Sequence, residues 1–238
     1  MSESIQHGTL YLVATPIGNL DDITYRAVKV LTSVDLVAAE DTRKTKILLD
    51  YYHISKPMMS YYSYNEQARA PQLIEKLLAG QSIALVSDAG TPGISDPAFH
   101  IVQQALEHGI SIIPIPGPAA FVAALIASGL PTDRFVFEGF LPLKKGRKTK
   151  FELLKLEHRT IIIYESPHRI IKTLADIQTS LGNRQVVVAR ELTKKFEEIV
   201  RGSVSAVLAE LTKKLPRGEY VVVVEGAAKT TPEKDSAE

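Results

Sequence analysis

Cysteine is absent from the 238 residues, so no disulfide framework, thiolate nucleophile or cysteine metal site is available. Charge of one sign is not in excess: 28 Lys and Arg stand against 27 Asp and Glu. That balance excludes a strongly cationic nucleic-acid coat protein and leaves room for a local basic patch. Long apolar runs are missing too. The longest, Ala119 to Ala127, has nine residues, too few to cross a bilayer, so no membrane partner is expected. The opening Met1-Ser-Glu-Ser-Ile-Gln-His7 lacks a basic-then-apolar signal pattern, and a cytoplasmic location is expected. There is no G-x-G-x-x-G after the first strand-like run, no G-x-x-x-x-G-K-[ST], no G-x-S-x-G and no H-E-x-x-H. Standard dinucleotide, P-loop, hydrolase-elbow and zinc-protease readings lose their support. The six histidines are scattered, with His53 in a polar loop and His100 and His108 on a helix surface, so no metal is expected.

What remains is an ordinary globular composition, 45% hydrophobic and 23% charged. A chain of this size buries roughly 70–75% of its unfolded surface. Strand-like and helix-like runs alternate. Strands are expected at Thr9–Ala14, Leu36–Ala39, Ile83–Val86, Ile110–Ile115, Phe135–Phe137, Ile161–Tyr164, Val186–Ala189 and Tyr220–Val224, with a short one at Ile199–Gly202. Helices are expected over Tyr25–Thr32, capped by Asp21 or Asp22, and from Asp96-Pro97 to His108-Gly109. Another ends near Leu78 at Gly80, and one opens at Ser166-Pro167. The rhythm predicts an α/β fold of parallel sheet covered by helices. The stiff Pro114-Ile-Pro-Gly-Pro118 segment marks a boundary. The expected division is an N-terminal α/β domain over 1–115, a C-terminal α/β domain over 116–226 and a disordered tail over 227–238.

Five loops follow the apolar strands: Ala-Thr-Pro-Ile-Gly-Asn-Leu-Asp-Asp after Val13, Ala-Glu-Asp-Thr-Arg after Ala38, Ser-Asp-Ala-Gly-Thr-Pro-Gly-Ile-Ser-Asp-Pro after Val86, Tyr-Glu-Ser-Pro-His-Arg after Ile163 and Ala-Arg-Glu-Leu-Thr-Lys-Lys after Val188. In open α/β sheets ligands sit at the carboxyl ends of strands. Singly, each loop reads as caps and turns; together they read as a site. The Ser87–Pro97 loop is net acidic and carries Gly90 and Gly93, which suits a nucleoside or a cationic ligand better than a phosphate. Basic residues cluster at Arg43, Lys44 and Lys46 and at Lys144, Lys145, Arg147, Lys148 and Lys150, where they can meet RNA phosphates or simply face solvent. Tyr51 to Tyr64 holds five of the nine tyrosines, the kind of aromatic surface on which single-stranded RNA bases stack, or else packing under a loop.

These loops, in this order, resemble those of the small-subunit (16S) ribosomal RNA (cytidine-2′-O)-methyltransferase family, a branch of the tetrapyrrole-methylase superfamily, over about Gly8 to Gly226. The resemblance implies two α/β domains with S-adenosylmethionine in the cleft between them, a homodimer, and 16S rRNA as partner in the assembled small ribosomal subunit. The implied target is the ribose 2′-hydroxyl of a cytidine in the decoding region. Carried over by motif, the implied cofactor contacts are Pro16, Asp88, Ala89, Gly90, Thr91, Ile94, Ala119, Ala120, Tyr164, Glu165, Leu192, Gly218, Glu219 and Tyr220. The family usually has Ser where this chain has Ala119, which removes a hydroxyl contact, and many members continue into a further C-terminal segment.

The chemistry asks for an in-line displacement and an acceptor for the hydroxyl proton. Glu40, Asp41, Asp88, Glu165 and Glu191 are the candidate acceptors, and Arg43 and Arg190 the candidate phosphate grips. Two other readings compete: a methyltransferase acting on a tetrapyrrole, which the basic clusters disfavour, and a non-catalytic RNA-binding module, which the carboxylates disfavour.

Overall fold

The computed structural model describes residues 5–228. They form two compact units that part after Ala120. The first unit contains β1 (Thr9–Val13), α1 (Tyr25–Ser33), β2 (Leu36–Ala39), α2 (Thr42–Tyr51), β3 (Met58–Ser60), α3 (Glu66–Leu78), β4 (Ile83–Val86), α4 (Phe99–Glu107) and β5 (Ser111–Ile115). Its sheet has the order β3-β2-β4-β1-β5 and is parallel throughout. Both faces are covered, so the strands read as continuous apolar runs. Leu10, Leu36, Ala38, Ile83 and Leu85 face α3 and α4. Tyr11, Val13, Val37, Ala39, Ala84 and Val86 face α1 and α2. Pro114 lies in β5, an edge strand, where a missing N–H costs no ladder bond.

The register aligns the carboxyl ends of all five strands: Ser60 beside Ala39, Ala39 beside Val86, Val86 beside Val13, and Val13 beside Ile115. β1 feeds α1 toward one side of the sheet and β4 feeds α4 toward the other. The β4/β1 pair is therefore the topological switch point, where open α/β sheets take their ligands. There the two outgoing loops are tied by a reciprocal backbone pair, Thr15 N–H to Gly90 O at 2.8 Å and Gly90 N–H to Thr15 O at 3.0 Å.

The second unit contains α5 (Ala120–Ser128), which opens on the last residue of the first, then β6 (Phe135–Phe140), α6 (Arg147–Lys155), β7 (Thr160–Glu165), α7 (Ile170–Leu181), β8 (Gln185–Arg190), β9 (Glu198–Ser203), α8 (Val204–Leu211) and β10 (Tyr220–Val224). Its sheet, ordered β6-β7-β10-β8-β9, is mixed: only β6 and β7 are parallel. The α/β class holds in this unit, with parallel pairing confined to β6 and β7. β8 and β9 are joined by residues 191–197, too short a link for a crossover helix, so they form an antiparallel pair. Alternate strand residues pack against α6, α7 and α8 through Phe151, Leu174, Ile177 and Val207.

Three expected helix starts move. Thr24, not Asp21 or Asp22, caps α1 through a 3.1 Å bond from the Ala27 N–H. Asp96-Pro97 precedes α4, which begins at Phe99 behind an Ala98 that offers no cap. The buried Tyr61 hydroxyl faces the otherwise orphaned Ile101 N–H instead, without reaching full hydrogen-bond geometry. Ser166-Pro167 forms a turn, and α7 begins at Ile170. Of the expected tail, Ala227 is bonded to Glu157 and His158, and residues 229–238 lie outside the described residues. Among the described residues no helix is long and apolar enough to cross a membrane.

Candidate active site

At the carboxyl edge of the first sheet, the loops after β1, β2 and β4 assemble a group of carboxylates. Asp88, two residues past β4, accepts the Asp41 N–H at 2.9 Å and the Lys44 ammonium at 2.7 Å. Its own N–H points at Glu40, 3.4 Å away. Thr15 donates to the Ser87 carbonyl at 3.1 Å, so the β1 and β4 loops are locked a second time. A cavity here is lined by Thr15, Pro16, Lys44, Thr45, Ser87 and Asp88. Gly90 sits at φ +91°, and Thr91 donates to the Pro118 carbonyl at 3.0 Å, fixing the loop against the segment that leads to Ala119 and Ala120. Ala89 is exposed and Ile94 half-buried on the same loop.

The carboxylates differ sharply in environment. Asp41 caps α2, accepting the Arg43 N–H at 2.9 Å, and it receives the Arg43 guanidinium through two further bonds of 3.0 and 2.7 Å. These bonds hold its carboxyl far below the usual carboxylate range. Asp41 is thus a cap and a counter-ion, a poor acceptor for a substrate proton. Arg43 is 89% exposed and free to turn its outer face to a ligand. Burial pushes Glu40 up, opposed by the Asp88 N–H and assisted by the Asp88 charge. Asp96, read from sequence only as a cap, is pushed up to about 7, first by burial and then by the charge of Glu40, against a hydrogen bond from Ser87. Glu40 and Asp96 are the two members of the group that no described cation pairs with. Two acids in one loop facing a third were the sequence signal for Asp96, and the Asp-Pro helix-start pattern masked it.

Lys44, expected at RNA, is committed to Asp88, and that partner holds its ammonium pKa up. Lys46 bonds Asp50 one turn away at 2.7 Å.

In the second unit the register places Glu165, Tyr220 and Arg190 in one row across β7, β10 and β8, with Glu198 next on β9. The expected residues Tyr164, Glu165, Arg190, Glu191, Leu192, Gly218, Glu219 and Tyr220 therefore share one edge. Their hydrogen-bond partners differ from residue to residue. Glu165 is 1% exposed and consumed by Arg169 at 2.7 Å, Thr173 at 2.6 Å and the Ser166 N–H at 2.8 Å. It anchors the start of α7. Glu191 takes Lys194 at 3.0 Å and the Glu219 N–H at 2.9 Å; although burial works against it, these bonds keep its pKa low. Arg190 is spent on the Arg217 carbonyl and Glu198, at 2.8 and 2.9 Å, so it is not a free phosphate grip. Gly218, at φ +82°, lies so close to Glu191 that any Cβ would collide with it. The Tyr164 hydroxyl accepts the Phe121 N–H at 3.1 Å, and its ring meets Phe137 and Phe140 edge-on. Leu192 is buried, and the Tyr220 hydroxyl accepts the Arg217 N–H.

The basic run at the start of α6 divides in two. Arg147 is 9% exposed, clamped by Asp176 at 2.8 Å, Thr173 at 2.9 Å and the Pro142 carbonyl at 3.1 Å, and it is a structural residue. Lys150 pairs with Glu138 at 2.8 Å. Lys144, Lys145 and Lys148 stay exposed.

Residues 9–208 match the family model described as Tetrapyrrole (Corrin/Porphyrin) Methylases. A relative from Synechocystis sp., named ribosomal RNA small subunit methyltransferase I, is 55% identical over 228 residues, which cover 95% of this chain and 81% of that one. A relative of the same name from Thermotoga maritima is 46% identical, covering 92% of this chain and 99% of that one. The solved uroporphyrin-III C-methyltransferase of Thermus thermophilus complexed with S-adenosyl homocysteine superposes with a TM-score of 0.64 at 16% identity, over 90% of this chain and 96% of that one. A glycine-turned acidic loop at a switch point, a second unit with its expected residues on one sheet edge, and this breadth of similarity lead to one conclusion: the chain belongs to the tetrapyrrole methylase family, in its ribosomal RNA small subunit methyltransferase I branch.

Proposed function

We propose that this methyltransferase uses S-adenosylmethionine to methylate the ribose 2′-hydroxyl of a cytidine in the decoding region of 16S rRNA, acting in the cytoplasm on the assembled small subunit and as a homodimer. The observation that carries the catalytic part is Glu40: a half-buried carboxylate with a raised pKa, unpaired with any described cation, at the switch-point edge beside the Gly90 turn. The residues present fit the cofactor. Ala89 is exposed at the turn beside Gly90, whose missing side chain leaves room for a nucleoside, and the Glu40, Asp88 and Asp96 carboxylates suit a ligand with two cationic groups. When bound, S-adenosylmethionine supplies an electrophilic methyl carbon on a sulfonium.

This chain's own residues then do three things. With the cofactor bound, Glu40 would accept the 2′-hydroxyl proton while the oxygen takes the methyl carbon and the carbon–sulfur bond breaks, its electron pair leaving with S-adenosylhomocysteine. A weak nucleophile gains roughly 10²–10⁴-fold from such an acceptor. Arg43, held by Asp41 through one edge of its guanidinium, presents its other N–H groups to a flanking phosphate. The Thr15–Gly90 pair and the Asp88–Lys44 bond keep these loops in a single geometry before substrate arrives.

The test is methyl transfer from labelled S-adenosylmethionine to small ribosomal subunits lacking the modification, followed by nuclease digestion and identification of the labelled nucleoside. A 2′-O-methylcytidine is expected. A base-methylated nucleoside, or transfer only to a tetrapyrrole, overturns the reading.

A further inference from the structure

Five tyrosines lie between residues 51 and 64, and the structure separates them. Tyr52 gives its hydroxyl to the Leu20 carbonyl, and Tyr51 gives its hydroxyl to Asp21. Tyr61 is 1% exposed in the core. Tyr62 and Tyr64 are different: they are 39% and 96% exposed, their rings stand edge to face with centroids 6.4 Å apart, and neither packs into an apolar cluster.

Their position is specific. β3 is the edge strand beside β2, with Ser60 paired to Ala39, and the Tyr61 N–H bonds the Ala39 carbonyl at 2.8 Å. The tyrosine turn therefore leaves the sheet at the same edge, one strand spacing of about 4.8 Å from the chain that enters Glu40 and Arg43. The turn is also rigid. Asn65 accepts the Tyr62 N–H at 2.8 Å and donates to the Ser60 carbonyl at 3.3 Å, while the Asn65 and Glu66 N–H groups return to the Tyr62 carbonyl at 2.8 and 3.0 Å. Pre-set aromatic faces lose little entropy on binding.

We infer that Tyr62 and Tyr64 form a stacking platform for an unpaired RNA base next to the methylated nucleotide, with Arg43 taking the intervening phosphate. The inference rests on the RNA-substrate reading above. A base offers a flat, sequence-tolerant π-face, and Arg43, 89% exposed in the first turn of α2, gives the polyanion its charge complement.

The experiment measures equilibrium binding and single-turnover methylation of unmodified small subunits by Tyr64→Ala, Tyr64→Phe and Tyr62→Ala, with S-adenosylmethionine affinity taken by calorimetry. Tyr64→Ala should weaken subunit binding by roughly five- to 150-fold, the range of single base–aromatic contacts. Tyr64→Phe should keep wild-type binding because the face, not the hydroxyl, does the work. Cofactor affinity and the salt slope of subunit binding should not move, since no phosphate contact is lost. Wild-type subunit affinity in both alanine variants overturns the platform, as does equal weakening by Tyr64→Phe. Failure of the RNA reading looks different: the wild-type protein itself then leaves subunits unmethylated and binds them no better than duplex RNA of equal charge.

Discussion

At the scale of the residue, the site works by giving chemically identical carboxylates different neighbours. Asp41 has a guanidinium, Asp88 an ammonium, Glu165 a guanidinium and a hydroxyl, and Glu191 an ammonium and a backbone N–H. Among the described residues Glu40 has only the Asp88 N–H, and burial outweighs that bond to raise its pKa, the direction that favours a proton acceptor. Glu40→Gln should keep S-adenosylmethionine affinity within a few-fold and lower single-turnover methylation by roughly 10²-fold or more; a quench-flow rate near wild type would remove Glu40 from the mechanism. Gly90→Val makes a complementary statement about the backbone. At φ +91° a branched side chain is strained, and its Cβ would meet Ile17 Cγ2 at 3.4 Å, on the turn meant to receive the cofactor. Calorimetry should show S-adenosylmethionine binding abolished, while the far-ultraviolet circular dichroism stays native.

Elements explain both what was legible in the chain and what was not. β2, β4 and β10 fall where the expected strands lie, because a strand buried on both faces is an unbroken apolar run. Strand direction was not legible. Nothing in Tyr220–Val224 says that it runs against β7 and β8; that follows from the short 191–197 link, which reads as a loop of either kind. The first-unit loops were legible as a candidate site because their residue types suit no core, whereas Asp96 depends on Glu40, distant in the chain, and on burial that no local pattern encodes; the partners of Glu165 are near in sequence, Ser166, Arg169 and Thr173, and only its burial was hidden. The α6 run makes the same point, since Arg147 looks like its neighbours in sequence and behaves oppositely in space. Replacing Lys144, Lys145 and Lys148 by Ala should reduce the salt slope of subunit binding by up to about three and leave the melting temperature unchanged. Arg147→Ala should cost roughly 2–4 kcal/mol in denaturant unfolding, because Asp176 and Thr173 lose their partner, with the salt slope unaltered. If the two variants exchange phenotypes, the division of this segment is wrong.

For the whole molecule, the raised Asp96 makes stability depend on pH in a definite sense. Its unfolded-state value is near 3.8 and its folded value about 7. Below about pH 4 both states hold the proton and its contribution is fully present. As pH rises through the folded value the native state must either keep a proton that the unfolded chain has released or bury a charge, and that contribution is lost. Glu157, lowered to about 2 by Arg159, acts in the opposite sense and only in strong acid. The melting temperature should therefore fall between about pH 4 and 7, and Asp96→Asn should flatten the fall and melt higher than wild type at about pH 8. A profile unchanged by Asp96→Asn would show that the carboxyl titrates normally in the fold.

The order of strands in the first sheet also says something about time. β1 leaves the ribosome first, yet its two neighbours are β4 and β5, and Val13 must wait for Val86 and Ile115. This interior strand is thus apolar and unpaired until β4 has been synthesised, and open on its other side until β5 follows. At roughly 5–20 residues per second of translation that is an interval of several seconds or longer. Closing such distant parallel pairs is intrinsically slow as well. The Thr15–Gly90 pair that locks the loops cannot form before those ladders do. A nascent chain released before β4 is made therefore presents an exposed β1 to its surroundings and lacks the loop pair of the candidate site.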